Sequence, residues 1–181
     1  TLSTYRTKPE QYISNLLGHE GPGSLHGVLT ARGWIESLGV GAQDFDHASS
    51  LLSVEIQLTP AGQQHVNDVL GLLFAQLAQL RAAEPEQWRY QEQAKVAELG
   101  FQFQEPGSTL GFVYQMAPRL KDYPAEDLLI APYLMEGFDP NLIVDLLARL
   151  TPENALVELA LPDFESDQTE PWFNVAYELT R

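Results

Sequence analysis

The 181 residues carry 25 acidic side chains against 10 basic ones, and the resulting net charge of −15 repels phosphate backbones and anionic membrane surfaces. A nucleic-acid or membrane partner is therefore not expected. Hydrophobic residues at 44% and aromatics at 10% supply apolar surface for a real core, while the lack of cysteine removes disulfides and thiolate chemistry and leaves cytoplasm and periplasm equally open. The apolar runs are short and interrupted by charges, so none suits a membrane-spanning helix, and no basic segment leads into an apolar leader core. The chain opens at Thr1 inside an amphipathic stretch, which is the expectation for a piece of something longer.

Along the chain, Tyr12, Ile13, Leu16 and Leu17 recur at helical spacing after Pro9, with Gly18 in the C-cap position, and predict a short helix over 9–17. The next seven residues, Gly18 to Ser24, hold three glycines and a proline, a composition for unusual backbone angles or close approach by another chain. Ser24 is placed to cap a second helix bearing Leu25, Val28 and Leu29 and stopping at Gly33. Leu38 to Ala42 reads as a small-residue strand, Gln43 to Ser50 as a turn, and Leu52 to Leu58 alternates with the period of a half-buried strand. Thr59-Pro60 reads as the start of a long helix with Val66, Val69, Leu70, Leu73, Leu77 and Leu80 on one face.

Further helices are predicted from Pro85 through Leu99, from Ser108 toward Pro118, and from Asp139-Pro140 along Ile143, Leu146, Leu147 and Leu150. Ala155 to Leu161 alternates enough for a strand, and the acidic tail beyond Pro162 offers Trp172, Phe173 and Tyr177 as anchors. With no repeat and no linker, the economical reading is one α+β domain over residues 1–181.

Catalytic patterns are absent from the sequence. The four histidines, His19, His26, His47 and His65, lack a partner one helical turn away, so they do not form the paired ligands of a zinc hydrolase. There is no Gly-x-Ser-x-Gly elbow and no phosphate-cradling glycine loop ending in Lys-Ser or Lys-Thr. What remains is the glycine loop with Glu20 in it and the Leu38-to-Ala42 strand. Small side chains leave a strand's backbone accessible, so an extended peptide can hydrogen-bond along it while a nearby carboxylate holds the peptide's α-amino group. The plainer reading is a tight turn between helices beside an ordinary strand.

The run Tyr12-Ile13-Ser14-Asn15-Leu16-Leu17-Gly18-His19-Glu20-Gly21-Pro22-Gly23-Ser24-Leu25, followed by Leu29, Gly33-Trp34 and Leu38, resembles the second domain of the insulin-degrading enzyme and pitrilysin family of zinc peptidases. Val54 to Thr59 with Gly62 and His65-Val66, then Gln79 to Arg81, Pro85 to Trp88, Leu150 to Ala155 and Glu170 to Phe173 follow in the family's order, so the resemblance covers nearly the whole chain.

This resemblance implies a small mixed or antiparallel sheet with several helices packed on it, the domain repeated in insulinase-family peptidases. It places the H-x-x-E-H helix, a distant glutamate ligand and the zinc in another domain, and assigns no catalytic residue, metal ligand or cofactor to this one. The second domain then looks like a chamber wall that anchors a peptide's N-terminus and adds the incoming segment as a strand. Carried across, the matching positions are Gly18, Glu20, Leu38 and Gly41, with Gly39 and Val40 on the same strand. Gln11 and Asn15 stand where close relatives of the animal enzyme have histidines, which implies that side-chain contacts to substrate are lost there. The implied partners are a peptide substrate and the remaining domains of a larger peptidase. Relative to the family the chain starts after the domain's first strand, which would leave an open sheet edge and a tendency to self-associate. The alternative is a non-catalytic scaffold domain, and an intact H-x-x-E-H motif upstream would distinguish the two.

Overall fold

A computed structural model describes residues 2–46, 49–105, 107–161, 166 and 168–179. Helix α1 (Pro9–Leu17) starts on Pro9, whose missing N–H costs nothing in a first turn, and buries Tyr12, Ile13 and Leu17. Helix α2 (Leu25–Ala31) is capped by Ser24, whose Oγ accepts from the Gly27 N–H at 3.0 Å. It ends where Gly33 takes a φ of +69°, a conformation that costs glycine little.

From Gly33 the chain turns into β1 (Ile35–Asp44), which pairs antiparallel with β2 (Ser50–Leu58). Both strands run further than the predicted turn over Gln43 to Ser50 allowed, because Phe45 N–H to Ser49 C=O at 3.0 Å and Ser49 N–H to Asp46 Oδ1 at 2.7 Å shorten the reversal. The register sets Leu38 opposite Ile56 and Val40 opposite Val54, so the apolar pairs share one face. Among the described residues β2 has no second neighbour, and its outer edge is open.

Helix α3 (Val66–Ala82) begins later than Thr59-Pro60 suggested. The Thr59 hydroxyl donates to the Gly33 carbonyl at 2.6 Å and accepts from the Gly62 N–H at 3.0 Å, which spends the helix-start signal on a turn and a 3₁₀ segment, Gly62–His65. Helices α4 (Gln87–Gln102), α5 (Thr109–Arg119) and α6 (Pro140–Arg149) follow, α6 opened by Asp139 accepting from Asn141 N–H at 3.0 Å. The core joins Ile13 and Leu17 of α1 with Leu29, Ile35, Leu38, Val69, Leu73, Leu77, Ile143 and Leu147. Each such fully buried aliphatic side chain contributes about 1.5–3 kcal/mol relative to exposure.

Two expectations fail. Ala155 to Leu161 forms no strand: together with β2 and α3 it lines a cavity of about 760 Å³, no backbone hydrogen bond to a strand is found for it among the described residues, and Leu156 is 94% exposed. Trp172 and Phe173 anchor nothing, being 88% and 84% exposed beside a two-residue ladder, β3 (Gln168–Thr169) with β4 (Ala176–Tyr177). Helix α5 buries none of its residues and presents Leu110, Phe112, Val113 and Tyr114 to solvent. No helix among the described residues is long and apolar enough to cross a membrane.

Candidate functional site

The glycine loop exists to bring the end of α1 against β1. Gly18 N–H closes the helix on the Ser14 carbonyl at 2.9 Å, and a Cβ added at Gly18 would stand 3.0 Å from that oxygen and 3.8 Å from Val40 Cγ2. The first distance is tight and the second an ordinary contact, so a Cβ there would press on the helix's own carbonyl while just touching the strand. The loop then turns through Ser24 N–H to Gly21 C=O at 3.1 Å, with Gly23 at a φ of +82°. The His19 ring folds over Gly21, and its Nε2 lies 2.5 Å from where a Cβ would be. Glu20 is exposed, and no hydrogen bond to its carboxylate is found among the described residues. Because Ser24 caps α2, Glu20 is not engaged as the cap of that helix.

These elements enclose a cavity of about 350 Å³. Helix α1 supplies Gln11, Ser14 and Asn15, the loop supplies Gly18, His19 and Glu20, and β1 supplies Leu38 and Val40. Of the expected site residues, Gly18, Glu20, Leu38 and Val40 are thus brought together. Gly39 and Gly41 belong to the other face of β1, exposed and with open space where a Cβ would stand. The sequence reading missed Ser14 and His19 and took Gln11 and Asn15 for lost contacts. A signal was present: Gln11, Ser14, Asn15 and Gly18 follow the i, i+3, i+4, i+7 spacing of a second helix face, opposite the apolar one.

Chemically, the site offers a carboxylate, amide and hydroxyl groups, and a strand with little side-chain bulk. Among the described residues no group of three or more histidine, aspartate or glutamate side chains converges. His65 stacks on Trp34 with ring centroids 4.4 Å apart and pairs with Asp68 at 2.9 Å, His26 is half-buried on α2, and His47 lies outside the described residues.

Comparison with known proteins gives this geometry a family. Residues 1–96 match the family model for the peptidase M16 inactive domain, and residues 101–181 match that for the middle or third domain of peptidase M16, so the seam falls within α4. Insulin-degrading enzyme from Homo sapiens is 35% identical over 175 residues, which cover 96% of this chain and 17% of that protein. A nardilysin-like protein from Arabidopsis thaliana is 35% identical over 181 residues, with 97% and 18% covered. The A-factor-processing enzyme of Saccharomyces cerevisiae is 32% identical over 176 residues, with 97% and 17% covered. The chain spans less than a fifth of the length of these relatives. The crystal structure of pitrilysin superposes with a TM-score of 0.89 at 23% identity, covering 94% of this chain and 18% of pitrilysin, which fixes the α+β fold. With two of its domain models meeting end to end along 181 residues, this chain belongs to the peptidase M16 family, the family of insulin-degrading enzyme and pitrilysin that the glycine loop resembled.

Proposed function

We propose that this chain is the substrate-anchoring chamber wall of a zinc metalloendopeptidase that degrades peptides, with the zinc and the cutting machinery carried by other domains of a larger parent. One observation carries the reading: Glu20 and the Leu38/Val40 face of β1 line the same cavity, joined there by the glycine loop. A peptide's α-ammonium pairs with the Glu20 carboxylate, and its backbone adds along β1, where Gly39 and Gly41 leave the main chain uncovered. The match to an M16 inactive domain supports a binding rather than a cleaving role. The bare apolar face of α5 is where the remaining domains of the parent would pack.

The test is Glu20→Gln. A charge-assisted hydrogen bond is worth about 1.5–3 kcal/mol, which is roughly a tenfold to hundredfold change in affinity. The variant should lose that much affinity for a peptide with a free N-terminus and almost none for its acetylated counterpart. Because Ser24 already caps α2, the melting temperature should stay within a degree or two of the parent, about the range of an uncoupled surface change. An unchanged ratio of free to acetylated affinity would remove Glu20 from the site.

A further inference from the structure

We infer that Glu55, on β2, selects a basic side chain of the anchored peptide by pairing with a lysine or arginine laid across Gly39 from the free edge of β1. The inference rests on the anchoring role proposed for the Glu20 cavity and β1. The hairpin register sets Gly39 directly opposite Glu55 and Gly41 opposite Ser53. Side chains alternate along a strand, so these four positions share the face turned away from Leu38, Val40, Val54 and Ile56, which pack on the core. Gly39, Gly41 and Glu55 are exposed there, and nothing lies within 4 Å of where a Cβ would stand at either glycine. The neighbouring polar groups satisfy one another: Gln57 Nε2 donates to Glu36 at 2.7 Å, and Gln57 Oε1 accepts from Ser37 Oγ at 3.3 Å. Glu55 takes no part in that pairing, and no hydrogen bond or ion pair to its carboxylate is found among the described residues.

The glycine is what lets the carboxylate reach the peptide. Among the described residues β1 pairs only with β2, so its other edge is free, and a peptide added there stands two strand spacings from β2, about 9.6 Å. In most sheets a side chain of the middle strand fills that path. Here a lysine or arginine beside Gly39 lays its methylene stem along bare main chain and carries its charged head to Glu55. The same side chain beside Gly41 meets Ser53, which is uncharged. Because Leu38 and Val40 flank Gly39 and line the Glu20 cavity, the selected residue falls within the first few of the peptide. The net charge of −15 draws any cation toward the chain wherever it sits in the peptide, so what Glu55 adds is a preference for one position. The pair is exposed, which sets its size at about two- to fivefold in affinity.

The experiment moves a single lysine through the first five positions of a free-amine peptide with otherwise uncharged side chains and measures binding to this chain by calorimetry. The expected result is one position that binds about two- to fivefold tighter than its neighbours. Glu55→Gln should level the scan while leaving the free-to-acetylated ratio intact, and Glu55→Lys should move the preference at that position from lysine to glutamate. Gly39→Val should also level it, by putting a side chain on the path, and should melt no lower than the parent, because valine suits a strand and meets open space there. A flat scan with the unmodified chain, at a free-to-acetylated ratio that is still high, overturns the Glu55 inference and spares the anchor. Loss of that ratio as well overturns both. A preference that survives Glu55→Gln belongs to another carboxylate, and one that Glu55→Gln removes but Gly39→Val keeps puts the peptide on the outer edge of β2; either result overturns the inference.

Discussion

The crossing of the Gly33-Trp34 turn over the Thr59-to-Gly62 turn holds the hairpin to α3, and substituting Gly62 tests how tightly. A Cβ at Gly62 would lie 1.9 Å from the Trp34 carbonyl oxygen, 2.8 Å from its carbon and 3.1 Å from its Cα. All three are backbone atoms, so no side chain can move aside, and one turn must retreat by more than 1 Å to restore contact near 3 Å. That retreat strains Thr59 N–H to Trp34 C=O at 3.0 Å, Gly62 N–H to Thr59 Oγ1 at 3.0 Å, and Thr59 Oγ1 to Gly33 C=O at 2.6 Å. Losing two such bonds at about 1 kcal/mol each, on top of overpacking at about 1–3 kcal/mol, puts Gly62→Ala at roughly 3–5 kcal/mol destabilising. Gly71 supplies the control, since it lies exposed within α3 with nothing near its Cβ position. There the same change should stabilise by about 0.5–1 kcal/mol through helix propensity. Urea titration of the two variants checks both signs together. A Gly62→Ala chain as stable as the parent, or two variants shifted in the same direction, would refute the close-approach argument.

Two further outcomes are expected. Burial lowers the Lys8 ammonium from its ordinary 10.5 to about 8, although its Nζ donates to the Ala131 and Pro132 carbonyls at 2.9 and 2.6 Å. Between those two values the unfolded chain binds more protons, so stability should rise with pH there, by on the order of 1 kcal/mol once solvent screening is allowed for. Burial also raises Tyr90 to about 12, which lowers stability as pH approaches 10, so denaturation midpoints should be compared from about pH 8 to 9, where they should climb for the parent and stay flat for Lys8→Met; a flat parent there would remove the effect. The open outer edge of β2 should make the chain self-associate as its concentration increases, and Ser53→Lys, a charge placed on that strand, should suppress it. Sedimentation that finds monomer throughout would show the edge to be covered.

Helix boundaries were legible because their signals are local. Pro9, Ser24, Ser108 and Asp139 each act within one turn of themselves, through a missing N–H or an oxygen that accepts from a first-turn N–H, and each opens a helix as expected. Thr59-Pro60 misled because the Thr59 hydroxyl is engaged at long range by Gly33, a partner 26 residues away. Ala155 to Leu161 misled for a related reason. Alternation describes a face to bury, but a strand also needs a neighbour within about 5 Å, and among the described residues this segment pairs with none.

The candidate site was half legible for the same physical reason. The glycine loop and Glu20 are contiguous in the chain, so their composition announced a close approach. What the loop approaches is set elsewhere, by α2 and the positive φ of Gly33, which reverse the chain so that Leu38 and Val40 return to the end of α1. That return turns the polar stripe Gln11, Ser14 and Asn15 from a solvent face into a cavity wall, and it is why two residues read as lost contacts stand in the site. It also separates the roles along the chain. Gly18 is constrained by the Ser14 carbonyl, 3.0 Å from where a Cβ would stand, whatever the bound peptide, whereas the exposed Glu20 carboxylate has no hydrogen-bond partner among the described residues. Substitutions at Gly18 should therefore register in stability before binding, and those at Glu20 in binding before stability. The order in which the two measurements respond distinguishes the frame of the site from its working groups.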